Sequence, residues 1–290
     1  MPPESPDARR PHTLDALLPG DVARIAEDVG VRKAALGVVN TLALGVLAGA
    51  FIALGAVFAT TVTTTTGAAL PWGVGRLIGG IAFSLGLILV VVAGAELFTG
   101  NNLIVMAWMA GKLPLRRLLR NWALVYLGNM AGALGTVALV WASGQYTFAG
   151  GALGLNALGV AAHKTALGFV PALTLGILCN ALVCLAVWLT VAARTVTDKI
   201  LAIIWPIAAF VAAGFEHSVA NMYFIPIGLL IKADSAFLGA VGKAPADFAG
   251  LTWEAFLLHN LLPVTLGNIV GGAGLVGLVY WFIYLRGNHP

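Results

Sequence analysis

Charge is what this sequence has least of. Asp, Glu, Lys and Arg make up only 10% of its 290 residues, against about 25% in a typical soluble domain, so most of its surface does not face water. The chain also lacks the ten-residue alternation of polar and apolar positions that a membrane β-barrel needs. Cysteine is nearly absent. Cys179 and Cys184 lie five positions apart in one apolar stretch, so on a helix they face different sides. They form neither a disulfide framework nor a metal-spaced pair, and read as small packing residues. Of the five histidines, His12 and His289 are in the tails, His163 adjoins Lys164, and His259 opens the last apolar segment. No pair has ligand spacing. A membrane-embedded enzyme or redox subunit would need haem-type His pairs, a Cys cluster or a nucleophile with its base; the expectation is no enzyme, no metal and no cofactor. The net charge of +4 is dispersed at segment ends rather than massed in a patch, so no nucleic-acid partner is expected.

Long apolar runs are what the chain has instead. Hydrophobic residues make up 60% of it, with a mean hydropathy of +0.94. Six segments stand out, at about 34–59, 74–97, 121–142, 165–192, 200–231 and 255–285. Each is long enough to cross a roughly 30 Å hydrocarbon core as a helix, where every backbone group must be satisfied internally. The second is followed by Phe98-Thr-Gly-Asn-Asn102 and a short apolar stub, and the fifth is interrupted by Gly214-Phe-Glu-His-Ser218. Both read as broken helices. With both termini cytoplasmic, twelve Lys and Arg fall inside and four outside, which satisfies the positive-inside rule. Residues 1–33 show no cleavable signal. Asp21 as N-cap, followed by Val22, Ile25, Ala26 and Val29, predicts a short amphipathic helix at the cytoplasmic face. The organisation expected is an N-terminal segment 1–33 and a six-helix domain 34–290.

Three motifs recur in order. Lys33-Ala-Ala-Leu-Gly-Val38 matches Lys164-Thr-Ala-Leu-Gly-Phe169. Ala95–Asn102 matches Phe215–Met222, with Glu and Asn five apart in each. Leu127-Gly-Asn-Met-Ala-Gly132 matches Leu266-Gly-Asn-Ile-Val-Gly271. The offsets are 131, 120 and 139 residues. Each repeat (about 33–143 and 164–286) holds three spans, an odd number, so the two must enter the membrane from opposite sides. Such inverted repeats place broken helices and the substrate pathway near the midplane. The expected fold is therefore all-α: six transmembrane helices in two inverted three-helix repeats, helices 2 and 5 broken. Glycines at small-xxx-small spacing, among them Gly128, Gly132, Gly267 and Gly271, allow close helix approach, within the chain or between subunits.

Few ionisable side chains lie at membrane depth, where each is costly and usually faces a cavity or a partner. His217, in the fifth-segment break, can donate to an anion or protonate and attract one; it can also simply bond a freed carbonyl. Glu96 and Glu216 would repel an anion. They are expected to keep out of the passage and to support the breaks, together with Asn101 and Asn221, by accepting backbone N–H groups or pairing with a basic group. Thr99 offers a hydroxyl and Asn180 an amide to a weakly held ligand, though either can serve as an interhelical bond. Lys164 begins the fourth segment, as a vestibule cation or a snorkelling lysine.

The Ala95–Thr99 break, Cys179–Trp188, Gly214–Met222 and Pro263–Gly272 together resemble the formate/nitrite transporter family, with similarity from near Leu17 to the C-terminal Tyr-Trp-Phe-Ile-Tyr-Leu-Arg run. The resemblance implies an aquaporin-like protomer in a homopentamer in the cytoplasmic (inner) membrane, passing small monoanions, formate first and nitrite or hydrosulfide as the alternative. A channel for neutral solutes is the competing use of such a shape. By resemblance His217, Thr99, Asn180 and Lys164 mark the substrate pathway, and Phe83, Leu87, Leu97, Val183 and Phe210 fall at apolar constrictions. Gly100, just after Thr99, is closer to the nitrite branch.

Overall fold

The computed structural model describes residues 16–65 and 70–287; Arg9, Arg10, His12, Leu14 and His289 lie outside them. The described chain is helical, and six helices are long and apolar enough to cross a membrane. Helix α1 (Pro19–Ala35) precedes the first span, α2 (Val38–Thr63). The second span, α3 (Trp72–Gly94), ends in a π-helical turn. An irregular stretch and a 3₁₀ turn (Gly100–Ile104) lead to the short α4 (Val105–Met109). The third span is α5 (Leu115–Ala142). Then come α6 (Ala152–Thr165) and the fourth span α7 (Phe169–Ala192). The fifth divides into α8 (Val196–Ala213) and α9 (Ser218–Ala233). After α10 (Ser235–Ala240), the sixth span, α11 (Ala255–Tyr284), closes the bundle.

Two details differ from expectation at the ends of elements. Helix α1 starts at Pro19, not after Asp21. Proline suits the first turn because its missing N–H had no intrahelical partner there, and Asp21 instead pairs with Arg24 at 2.9 Å within that turn. The apolar side of α1 (Val22, Ala23, Ala26, Ala34) packs on Ile104, Met106, Ala107 and Trp188, so it covers protein. The segment before Lys164, which lies between the third and fourth apolar segments of the sequence, forms α6. Lys164 thus ends one helix just as Lys33 ends α1, and each half of the molecule begins with such a lead-in helix.

Two cavities show which way the spans run. One, of about 710 Å³, is lined by Lys164, Glu216, His217, Phe83 and Phe210; the other, of about 420 Å³, by Lys33, Glu96, Leu87 and Leu97. Helix α2 leaves Lys33 and reaches the first cavity with Ala59, Thr60 and Thr63, whereas α7 leaves Lys164 and reaches the second with Val187, Thr190 and Val191. Equivalent spans therefore run in opposite directions, which makes the two halves an inverted pair. Within each half the first and third spans are in close backbone contact. A Cβ on Gly132 would strike the Val46 carbonyl, and one on its counterpart Gly271 the Ile177 carbonyl. Without a hydrophobic drive between helices in lipid, this close packing holds the spans together. Gly135 and Gly274 face open space, so not every small residue serves the protomer's own core.

Candidate functional site

Each broken span stops at a left-handed glycine, Gly94 at φ +85° and Gly214 at φ +77°. Only glycine adopts that conformation without strain. Two residues later stands a glutamate, whose backbone N–H reaches across to the first span of its own half: Glu96 N to Leu44 O at 3.2 Å, Glu216 N to Leu175 O at 3.3 Å. The freed groups of each break are then gathered by one asparagine. Asn129 Nδ2 donates to the carbonyls of Gly45 and Glu96, and its Oδ1 accepts from Phe98 N at 2.9 Å. Asn268 does the same for Gly176, Glu216 and Ser218 N. Buried backbone groups must find partners, and this is where those of the breaks find them.

The glutamate side chains build a second duplicated cluster. Lys33 Nζ lies 2.9 Å from Glu96 Oε1 and donates to Asn101 Oδ1 at 2.9 Å. Asn101 Nδ2 donates to Glu96 Oε2 at 2.6 Å and to Asn121 Oδ1 at 2.9 Å. In the other half Lys164 Nζ lies 2.7 Å from Glu216 Oε1. Asn221 Nδ2 donates to Glu216 Oε2 and to Asn260 Oδ1, both at 2.7 Å. Asn121 and Asn260 close each ring by donating to the backbone carbonyl of the lysine. Both glutamates border a cavity after all. Their ion pairs explain why that is compatible with an anion: each carboxylate is neutralised within hydrogen-bond distance. Lys164 is for the same reason not a free vestibule cation. Its side chain is only 13% exposed and lies over the Phe224 ring.

Between the cavities the symmetry is broken. Leu97 and His217 occupy equivalent places, each just after its glutamate, so an aliphatic side chain ends one cavity where an imidazole ends the other. His217 caps α9, its Nδ1 accepting from Ala220 N at 3.0 Å. That bond places the ring proton on Nε2, which lies 3.0 Å from Thr99 Oγ1. The Phe210 ring stacks on the imidazole at 5.9 Å, and Phe83 meets Phe210 edge-on at 5.8 Å. Asn180 Nδ2 donates to the Thr99 and Asn268 carbonyls and to Asn102 Oδ1, leaving Oδ1 buried without a partner. Cys184 Sγ also donates to Thr99 O, so this cysteine helps hold the first break. Thr99, Asn180 and Val183 are fully or almost fully buried and line neither cavity. The structure thus brings together Thr99, His217, Asn180 and Phe210, while Lys164 lines the same cavity as His217 and Phe210 but is held in its pair with Glu216.

Four asparagines had no role assigned from sequence: Asn121, Asn129, Asn260 and Asn268. The signal was present, because Asn129 and Asn268 are the asparagines of the matching Leu-Gly-Asn motifs. Asn121 and Asn260 each stand eight residues before them.

Six spans in two inverted halves, each with a broken helix leading to a shared centre, define a membrane transport protein. A family profile described as "Formate/nitrite transporter" matches residues 20–282. The chain belongs to the formate/nitrite transporter family. It is 50% identical over 277 residues to the formate channel FocA of Escherichia coli K12, covering 95% of this chain and 97% of that one. It is 45% identical to the formate channel FocA of Haemophilus influenzae, over 91% and 93%. A solved structure described as a pentameric formate channel with formate bound superposes with a TM-score of 0.81 at 46% identity, covering 86% of this chain and 98% of that one. Another, described as an FNT family ion channel, gives 0.76 at 31%, over 90% and 98%.

Proposed function

We propose that this chain is a channel for formate across the cytoplasmic membrane, assembled as a pentamer with one passage per protomer, and that its flux depends on pH. The observation that carries the reading is the Thr99–His217 pair, set between the two cavities. An anion entering from the Lys164 side, the outer side by the distribution of Lys and Arg, meets the Phe83–Phe210 rings. From the other side it meets Leu87 and Leu97. A bare charge in such an apolar passage is costly, and the site answers with one N–H donor, His217 Nε2, and one hydroxyl, Thr99 Oγ1. Transient protonation of the anion, with the imidazole as donor or electrostatic helper, would lower the barrier and couple passage to pH. The lysine–glutamate–asparagine clusters support the breaks that present these groups. Formate is favoured because the relatives named as formate channels match the chain over nearly its whole length. Gly100 lines the inner cavity and keeps nitrite as a second substrate. The twelve-to-four distribution of Lys and Arg supports a cytoplasmic location for both termini. The test is flux into liposomes holding the purified chain, compared for formate, nitrite, hydrosulfide, lactate and glycerol at two pH values. Formate passage that rises toward acid pH supports the reading. Glycerol passage without formate would replace it by a neutral-solute channel.

A further inference from the structure

The two cavities differ in charge. The inner one is bordered by one ammonium, Lys33, and one carboxylate, Glu96, which pair and cancel. The outer one is bordered by Lys164 and Glu216, which likewise cancel, and additionally by the guanidinium of Arg76. Arg76 rises from the first turns of α3 and is half-buried. Among the described residues no carboxylate lies within ion-pair distance of it. Its Nε and Nη2 donate instead to Ala212 O at 3.2 Å and Val211 O at 2.5 Å, carbonyls in the last turn of α8. Trp72 shields one side of the guanidinium, 5.8 Å from its ring centroid. His163 is the other titratable group facing this cavity besides His217.

We propose that Arg76, rather than Lys164, is the cation that draws substrate anions into the outer cavity. The inference rests on the reading of the chain as an anion channel and names the residue that supplies its attraction. Two effects act together. The C-terminal end of a helix carries partial negative charge, and that of α8 points at the outer cavity, where it would repel an anion. Arg76 cancels this field by bonding the carbonyls themselves. What remains of its unit charge, with no carboxylate of its own because Glu216 is paired with Lys164, leaves a net positive potential where the Lys164–Glu216 pair leaves none. The inner break has no equivalent, because position 196, which corresponds to Arg76 in the repeat, is a valine. Arg76 is thus a device of one face only.

A unit charge about 6 Å from an anion in water-like surroundings raises local occupancy about threefold, and salt screens it, with a Debye length near 30 Å at 0.01 M and 3 Å at 1 M. The test is formate flux in liposomes, well below saturation, at those two ionic strengths. Arg76→Met is expected to carry about threefold less formate than wild type at low salt and to converge with it at high salt. Arg76→Lys, which keeps the charge, is expected to restore most of the low-salt flux. The double variant Lys164→Met with Glu216→Gln removes one charge of each sign, and retains the wild-type salt dependence whatever its absolute rate. A deficit in Arg76→Met that persists unchanged at high salt would reduce Arg76 to a helix cap. Loss of salt dependence in the double variant alone would return the role to Lys164. Wild-type liposomes that pass no formate at either salt would instead overturn the channel reading itself.

Discussion

Thr99 and His217 are 118 residues apart in the chain, yet Oγ1 of one lies 3.0 Å from Nε2 of the other. Each belongs to the broken span of a different half. The hydrogen bond therefore joins the two halves, at the point where the paired breaks offer different chemistry. Elsewhere the breaks are copies of each other: left-handed glycine, glutamate, paired lysine, three asparagines. Duplication supplies a rigid frame, and the departure from it at Leu97 and His217 supplies the site.

The duplication has a measurable consequence in stability. Asn129→Ala and Asn268→Ala each leave one buried backbone N–H and two carbonyls without their side-chain partner. Each variant is expected to lose about 2–3 kcal/mol, by thermal unfolding in detergent. The two losses should agree closely, because the bonds removed are the same. A loss confined to one of the two would mean that the halves do not carry equal load.

Breaking an ion pair differs from removing it. Lys164 and Glu216 are 13% and 3% exposed, so Glu216→Gln strands a mostly buried ammonium at a cost of about 3 kcal/mol. Adding Lys164→Met should recover most of that loss, since the stranded charge is then gone. If the double variant is no more stable than Glu216→Gln, the asparagine bonds, not the charges, are what the cluster depends on.

Outside the spans, Asp234 caps α10 through Phe237 N and accepts from the Tyr146 hydroxyl at 2.6 Å. The Phe237 N–H first, and then the Tyr146 bond, hold its carboxyl below the ordinary carboxylate range. A lowered folded-state value means the stabilisation is complete above the unfolded value of about 3.9. It is lost as pH falls through the folded value. Asp234→Asn should therefore narrow the stability gap between neutral pH and about pH 3, measured as a change in melting temperature.

Much of the fold was legible in the sequence because membrane residence simplifies it. Apolar runs mark spans, and Lys and Arg mark sides. The repeat was legible too: the offsets of 131, 120 and 139 residues are those that relate Lys33 to Lys164, Glu96 to Glu216 and Asn129 to Asn268 in space. What hydropathy hid was α6, because its 14 residues are too few to be read as a span. The pairing of Lys164 was half-visible, since a carboxylate was expected to seek a basic group without any means of saying which. Arg76 went unnoticed for a different reason. Its partners are backbone carbonyls at the end of α8, 135 and 136 residues away, and carbonyls leave no mark in a sequence.

The most direct measurement is the pH profile of formate flux in liposomes for wild type and His217→Phe, from about pH 5 to about pH 8, either side of the free imidazole value. The expected result is a wild-type flux that rises toward acid pH and a variant whose flux and pH response are both changed. A His217→Phe channel that carries formate at the wild-type rate, with the wild-type profile, would contradict the role given to the imidazole.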